Sequence, residues 1–370
     1  MPDIHSRRRA ALRESLRDID VDALLVVDLR NIRYLTGFTG SNAALLVHAA
    51  DEPNAEGLTV FCTDGRYLIQ SERQVPDLQR VIERRSAPAL ASLAGADAKN
   101  YRRTGYESHH VTVEDLDVLT GAAGDGVELV RAPGRVEKLR EIKDDTEVEA
   151  LRMACAAADR ALAELIEHGG LRPGRTEREV ARELENRMLD LGADSPSFES
   201  IVAAGPNSAI PHHRPTDAVL RTGDLVKLDF GALIDGYHSD MTRTLVLGEP
   251  ADWQRELYEL VAAAQAAGRA ALRPGADVRE VDAAARQVIE KAGHGDEFPH
   301  GLGHGVGLEI HEAPLLSKIG DGRLSAGMAV TVEPGVYLPG RGGVRIEDTL
   351  VVRDDSPELL TLTTKQLVVV

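Results

Sequence analysis

Two kinds of hydrophobic pattern divide the chain. In its first third, short apolar runs at Val21–Val27 and Ala43–Val47 predict buried strands. The run TVFCTDGRYLIQ starts as a strand and breaks at Asp64-Gly65. VTVEDLDVL carries a helical pattern, and VELVRA returns to strand. With an amphipathic, arginine-rich stretch around Leu12–Leu16, these segments predict an α/β domain over residues 1–133, closing at Ala132-Pro133-Gly134. A second domain, residues 134–370, opens with a long helical region running toward Gly169. Thr146 and Glu149 have the spacing of a capping box. Val148, Leu151, Cys155 and Ala158 then recur at helical spacing, which puts Cys155 on the packed face.

The second domain repeats itself. LRPGRTEREVARELENRMLDLG starts at Leu171, and LRPGADVREVDAAARQVIEKAG starts at Leu272, 101 residues later. Each copy has a helix-start pattern, Thr176 with Glu179 and Asp277 with Glu280. Downstream, GDLVKLDFGA aligns with GMAVTVEPGV and HSDMTRTLVL with VRIEDTLVV, so Asp229 stands opposite Glu333 and Asp240 close to Glu347. The shared order of helix, strand, carboxylate, strand, carboxylate implies a duplicated half-domain. Two such halves related by a pseudo-twofold axis would each bring a carboxylate pair to one cleft. Strand alternation agrees: Leu225, Lys227 and Asp229 share one face, Val226, Leu228 and Phe230 the other. Thr331 and Glu333 likewise lie together, as do Arg345, Glu347 and Thr349.

Bulk properties narrow the field. The chain has 370 residues, 43% hydrophobic, and no apolar run long enough to span a bilayer. Its net charge of −17 disfavours nucleic acid and anionic lipid as partners. The N-terminal stretch shows no signal-peptide core, so the expected location is the cytoplasm. Cys62 and Cys155 read as reduced, buried thiols.

The acids Asp229, Asp240, Glu333 and Glu347 sit among Val, Leu, Ile and Phe, and His304 sits in GHGVG. Any one such acid is ordinarily a solvated surface group. Several buried together repel one another and are costly unless cations neutralise them. Four carboxylates and one imidazole suit two divalent ions, Mn²⁺ first, with Co²⁺ or Zn²⁺ possible. Such a pair, roughly 3.5–4 Å apart, would share a water and lower its pKa to about 7, giving a bridging hydroxide that attacks an amide carbonyl. No GxSxG elbow or Cys/His signature argues for a covalent route. GLGHGVG fails the dinucleotide pattern at Val306.

The segments LDFG, HSDMTRT, FPHGLGHGVGLEIHE, VEPGVY and GGVRIEDT resemble the motifs of the prolidase, aminopeptidase P and methionine aminopeptidase group, with its pita-bread fold. NIRYLTGFTGSNAALLV and TDGRY resemble the N-terminal domain of the prolidase and aminopeptidase P branch, so the similarity spans nearly the whole chain. The resemblance implies that Asp229 chelates one metal, Asp240 and Glu347 bridge both, and His304 and Glu333 bind the second. Glu333 would also accept a proton from the nucleophilic water. His212 would face the scissile bond, with His213 as a second substrate-side candidate. His311 would hydrogen-bond the reacting peptide or shuttle a proton, His300 would line a proline pocket, and Arg345 would orient the bridging acids from behind. It further implies small peptides with proline at the second position as substrates, and a homodimer.

An X-Pro bond is a tertiary amide without an N–H, which peptidases that grip that N–H cannot hold. The reading is therefore a dimetal Xaa-Pro dipeptidase, with aminopeptidase P as the alternative length preference. A dipeptidase needs a cation for the substrate's free carboxylate, and Lys318 and Arg323 are the residues the sequence offers. Metal-free creatinase-like hydrolysis and a non-catalytic pita-bread binding module are the competing readings. Neither needs all five ligands.

Overall fold

The computed structural model describes residues 4–49 and 55–370. It divides into two compact units, one ending at Arg140 and the other beginning at Glu141. The first is built on a six-stranded mixed sheet with strands in the order 79–82, 60–63, 43–48, 23–26, 103–106, 128–131. Leu24, Leu25, Leu45, Leu46 and Phe61 are wholly buried, as near-continuous apolar strands require. Helices Ser86–Ala96 and Val113–Ala123 pack Leu90, Ala94, Leu119 and Ala123 against the sheet face that carries Leu25 and Leu46. The helix Arg135–Arg140 belongs to this unit: Val136 is buried, and Arg140 Nη1 donates to Asn31 Oδ1 at 2.8 Å. The sequence boundary after Pro133 lies just ahead of this helix, whose burial the turn residues do not reveal.

The second unit carries two similar cores. In one, helices Asp145–Glu167 and Glu177–Asp190 cover the antiparallel sheet of strands 201–204, 225–230 and 241–246. In the other, helices Asp252–Ala271 and Val278–Lys291 cover a sheet built on strands 303–305, 329–332 and 348–351. The two LRPG helices have equal length, 14 residues each. Val226, Leu228 and Phe230 pack under the first helix pair, each worth roughly 1.5–3 kcal/mol of burial. That leaves the opposite strand face, with Lys227 and Asp229, for the interior of the unit. Cys155 is buried in the Asp145–Glu167 helix, and Cys62 is buried in the first unit.

Three local details differ from the sequence reading. The long helix is capped by Asp144, not Thr146: Asp144 Oδ1 accepts from the N–H groups of Thr146 and Glu147 at 2.9 and 3.1 Å. Glu147 Oε2 accepts from Asp144 N at 3.1 Å. An acid two residues earlier completes the reciprocal box, and Thr146 falls inside the first turn. The Thr176–Glu179 box is present, whereas Asp277 caps its helix through Arg279 N without Glu280. GGVRIEDT is not one strand: Gly342–Arg345 pairs with Gly335–Leu338, and Asp348–Val351 pairs with Ala329–Val332. Glu347 occupies the break. No helix among the described residues is long and apolar enough to cross a membrane.

Candidate metal centre

Strand ends aim the acids at one point. Asp229 is the penultimate residue of Leu225–Phe230, and Asp240 directly precedes Met241–Val246. Glu333 directly follows Ala329–Val332, and Glu347 directly precedes Asp348–Val351. The duplicated order seen in the sequence thus becomes two carboxylate pairs. Glycine makes the approach possible. A Cβ on Gly231 would lie 1.8 Å from Ser239 O, so only glycine lets the chain carrying Asp240 close against the Asp229 strand. A Cβ on Gly303 would lie 2.1 Å from Thr331 O, which explains the glycine beside His304.

Asp229, Asp240, His304, Glu333 and Glu347 all line one cavity of about 300 Å³. Ligand atoms of Asp240, His304 and Glu347 lie within 4.8 Å of one another. His304 Nε2 is 3.5 Å from both Asp240 Oδ2 and Glu333 Oε1. Its Nδ1 lies 3.0 Å from Gly305 O, which selects the tautomer with Nδ1–H donating and the Nε2 lone pair facing the acids. Asp229 Oδ1 is buried without a hydrogen-bond partner.

The electrostatics are those of a cation site. Burial, then the charges of Glu347, Asp229 and Glu333, push the Asp240 carboxyl far above its ordinary range. Burial, then Glu333 and Asp229, does the same to Glu347. Burial raises Glu333 to about 8, although Arg345 opposes the shift. His304 falls to about 4, chiefly through burial, so it is a neutral imidazole at neutral pH. An orphaned buried carboxylate oxygen, three acids driven upward by their surroundings and a lone pair aimed among them fit divalent cations. Hard oxygen donors dominate the set.

The supporting groups are polar and buried. Arg345 Nη2 pairs with Asp229 Oδ2, its Nε donates to Thr242 Oγ1 at 3.0 Å, and its Nη1 donates to Tyr337 OH at 2.7 Å. Thr242 Oγ1 donates to Glu347 Oε2 at 2.6 Å. Arg345 therefore reaches Asp229 directly and Glu347 through Thr242. Asp348 belongs to a separate network with Arg243 Nη2 at 2.8 Å and Lys365 Nζ at 2.7 Å.

The expected histidines divide. His212 and His311 both line the cavity, and His311 meets the His304 ring edge-on at 4.4 Å between centroids. Burial, followed by the nearby His212, lowers His311. His213 also borders the cavity, but its Nε2 is 2.8 Å from Glu177 Oε2, which fixes its ring to the framework. His300 does not line the cavity. Its Nε2 is 2.8 Å from Tyr337 OH and its Nδ1 is 2.8 Å from Gly301 O, which turns the ring toward Tyr337 behind the site. Burial, then Arg345, lowers His300 to about 3.

Several functional supports were not visible in the sequence reading. Buried Glu177, beside the Thr176 cap, also accepts from Ala204 N, Asn207 Nδ2 and Thr216 N at 2.9, 2.9 and 3.0 Å. Lys143 Nζ pairs with Glu312 Oε2 at 2.9 Å, with both side chains buried, and so anchors the residue after His311. Lys227, fully buried, donates to the carbonyls of Ile210 and Pro211. Acids at helix starts and lysines in strands carry no local signal of such distant partners.

Residues 149–354 match the metallopeptidase family M24, and residues 8–142 match the creatinase/prolidase N-terminal domain. The chain belongs to metallopeptidase family M24. Among M24 relatives, it is 40% identical over 358 residues to an uncharacterized peptidase, YqhT, of Bacillus subtilis, covering 97% of this chain and 98% of that one. Its structure is similar to an Xaa-Pro dipeptidase from Bacillus anthracis, with a TM-score of 0.92, 38% identity and coverage of 99% and 100% of the two chains. It is also similar to an X-Pro aminopeptidase from Thermotoga maritima, with a TM-score of 0.86, 31% identity and coverage of 98% and 99%. The M24 assignment makes the chain a metal-dependent hydrolase with the two-domain, pita-bread architecture read from its motifs.

Proposed function

We propose that this M24 peptidase hydrolyses Xaa-Pro bonds with two divalent metal ions, manganese first among them, and that dipeptides are its preferred substrates. The observation carrying the proposal is the convergence of Asp229, Asp240, His304, Glu333 and Glu347 on one cavity. Asp229, Asp240 and Glu347 would hold one ion, and Asp240, Glu347, His304 and Glu333 the other, with Asp240 and Glu347 shared. Metal ions in this cage supply Lewis-acid polarisation of the scissile carbonyl and acidify water from about 15.7 toward about 7.

The chain's own residues do the rest. Glu333, at the cavity wall beside the other acids, accepts the proton of the attacking water and returns it to the leaving amine. His212 and His311, at the cavity wall, hydrogen-bond the peptide on either side of the scissile bond. Arg345 orients Asp229 through their ion pair. In this reading His213 supports the substrate wall through Glu177, and His300 acts on it through Tyr337.

The dipeptide preference rests on charge at the cavity. Lys318 lies 3.6 Å from Glu290, and Arg323 Nη1 donates to Gly275 O at 2.7 Å; neither lines the cavity. Arg214 does, and among the described lining residues it is the one arginine or lysine. Its Nε pairs with exposed Glu199 at 3.1 Å, which leaves its outer N–H groups for a carboxylate. The resemblance to the prolidase and aminopeptidase P branch adds a homodimer to the proposal.

The test compares Ala-Pro with Ala-Pro-Ala on the manganese-loaded protein. Faster cleavage of Ala-Pro is expected. Preference for the tripeptide would convert the reading to aminopeptidase P, and no cleavage of either would refute it.

A further inference from the structure

Lys227 occupies the central strand of its sheet, paired with Thr244 on one side and Ala203 on the other. Alternation puts its side chain on the Asp229 face, yet it does not line the cavity, and the residue is fully buried. Its Nζ donates to Ile210 O at 2.6 Å and Pro211 O at 3.2 Å, and lies 5.0 Å from the centre of the Tyr337 ring. Those interactions occupy the head group, so it has no role in gripping a ligand.

What it holds is the main chain immediately before His212. Arg345 Nη1 donates to the same Pro211 carbonyl at 3.2 Å. On the far side of His212, Glu177 holds His213 and accepts from Thr216 Oγ1 at 2.7 Å. His212 is thus an exposed side chain on a short segment pinned at both ends by buried charged groups. The pin before it runs from the strand that also carries Asp229, so the positions of the carboxylate and the histidine share one support.

We propose that Lys227 is a positioning residue: by fixing the Ile210 and Pro211 carbonyls, it sets where His212 meets the substrate relative to Asp229. This rests on the Xaa-Pro reading for the substrate that His212 touches, but the tether itself does not. Either protonation state of the amine has the two N–H donors the carbonyls need.

Lys227→Met keeps the length of the stem and removes the donors. With Ala-Pro, kcat/KM is expected to fall by about 10²-fold, the loss associated with a displacement near 1 Å at a reacting centre. Bound metal should stay unchanged. Combined with His212→Ala, Lys227→Met should cost little more than His212→Ala alone, because its effect passes through that histidine. Multiplicative losses in this cycle would overturn the proposal, as would wild-type kcat/KM in Lys227→Met. Hydrogen exchange provides a readout independent of turnover. The amide of Ile210, which donates to Asn207 O at 2.9 Å, should exchange faster in Lys227→Met, with the Leu225–Phe230 strand unchanged; unchanged exchange at Ile210 would refute the tether. If the wild-type protein cleaves no Xaa-Pro peptide, the functional reading fails and exchange still decides the tether. Should Lys227→Met fail to fold, Lys227→Arg, which keeps N–H donors on a different head group, takes its place. It is expected to retain a protected Ile210 amide, and loss of that protection in a folded protein would overturn the proposal.

Discussion

The proposed ligands Asp240 and Glu347 are buried among like charges, so either protons or cations must neutralise the group. Asp240 sits among three other acids and lines the cavity, so its truncation removes a carboxylate and enlarges a space already open to water. Asp240→Ala is expected to lower activity below detection and bound metal below two per chain, with the far-UV spectrum retained. Wild-type turnover would contradict its shared position. Thr242 tests the supporting layer: its hydroxyl donates to Glu347 and accepts from Arg345. Thr242→Val preserves shape and removes both bonds, so metal affinity should fall roughly 10- to 100-fold, read by titration against a chelator. Glu333→Gln should cost about 10²- to 10⁴-fold in kcat if Glu333 moves the proton, well beyond any change in KM.

At the scale of strands and helices, the same packing that buries one face presents the other. Leu228 lies under the helices Asp145–Glu167 and Glu177–Asp190, and Asp229 next to it looks into the cavity. Leu228→Ala should lower stability by about 2–5 kcal/mol in urea unfolding, with metal stoichiometry in the folded fraction unaffected. This coupling is why much of the centre was legible in the sequence. A carboxylate in an apolar segment breaks the expected pattern, and four such anomalies in duplicated order leave few arrangements. Lys227 was visible on the same strand face as Asp229, but its role was not, because its partners are backbone carbonyls that carry no sequence signal. The resemblance gave His213 and His300 as substrate-side candidates, and the sequence did not show what fixes their rings. Their hydrogen bonds to Glu177 and Tyr337 depend on how distant segments meet. The cap at Asp144 was displaced by two residues because acids and Thr146 stand side by side and either could begin a box. The break at Glu347 was hidden by the apolar alternation running through it.

For the whole molecule, the buried acids couple folding, metal and pH. In the absence of metal, Glu333 rises to about 8 from an ordinary value of 4.5, and Asp240 and Glu347 are raised as well. A folded carboxyl that binds its proton more tightly than the unfolded chain stabilises the fold at low pH. That contribution is lost as pH rises through the folded value. His304, lowered to about 4, acts in the opposite sense and only below its unfolded value of 6.5. Lys227, lowered to about 6 by burial, opposes the carboxylates above that value, but three raised carboxyls outnumber it, and the metal-free protein should lose thermal stability between roughly pH 7 and pH 9. Metal loading displaces those protons, so apparent metal affinity should rise with pH, and each site at about 100 times its Kd should add about 2.7 kcal/mol. Melting curves with chelator and with manganese across that range check the sign.

The most direct measurement titrates metal-free protein with manganese while following Ala-Pro hydrolysis. The proposed centre predicts negligible turnover without metal and a rate that stops rising at two ions per chain. Full activity in the presence of excess chelator, or no turnover at any manganese concentration, would contradict it.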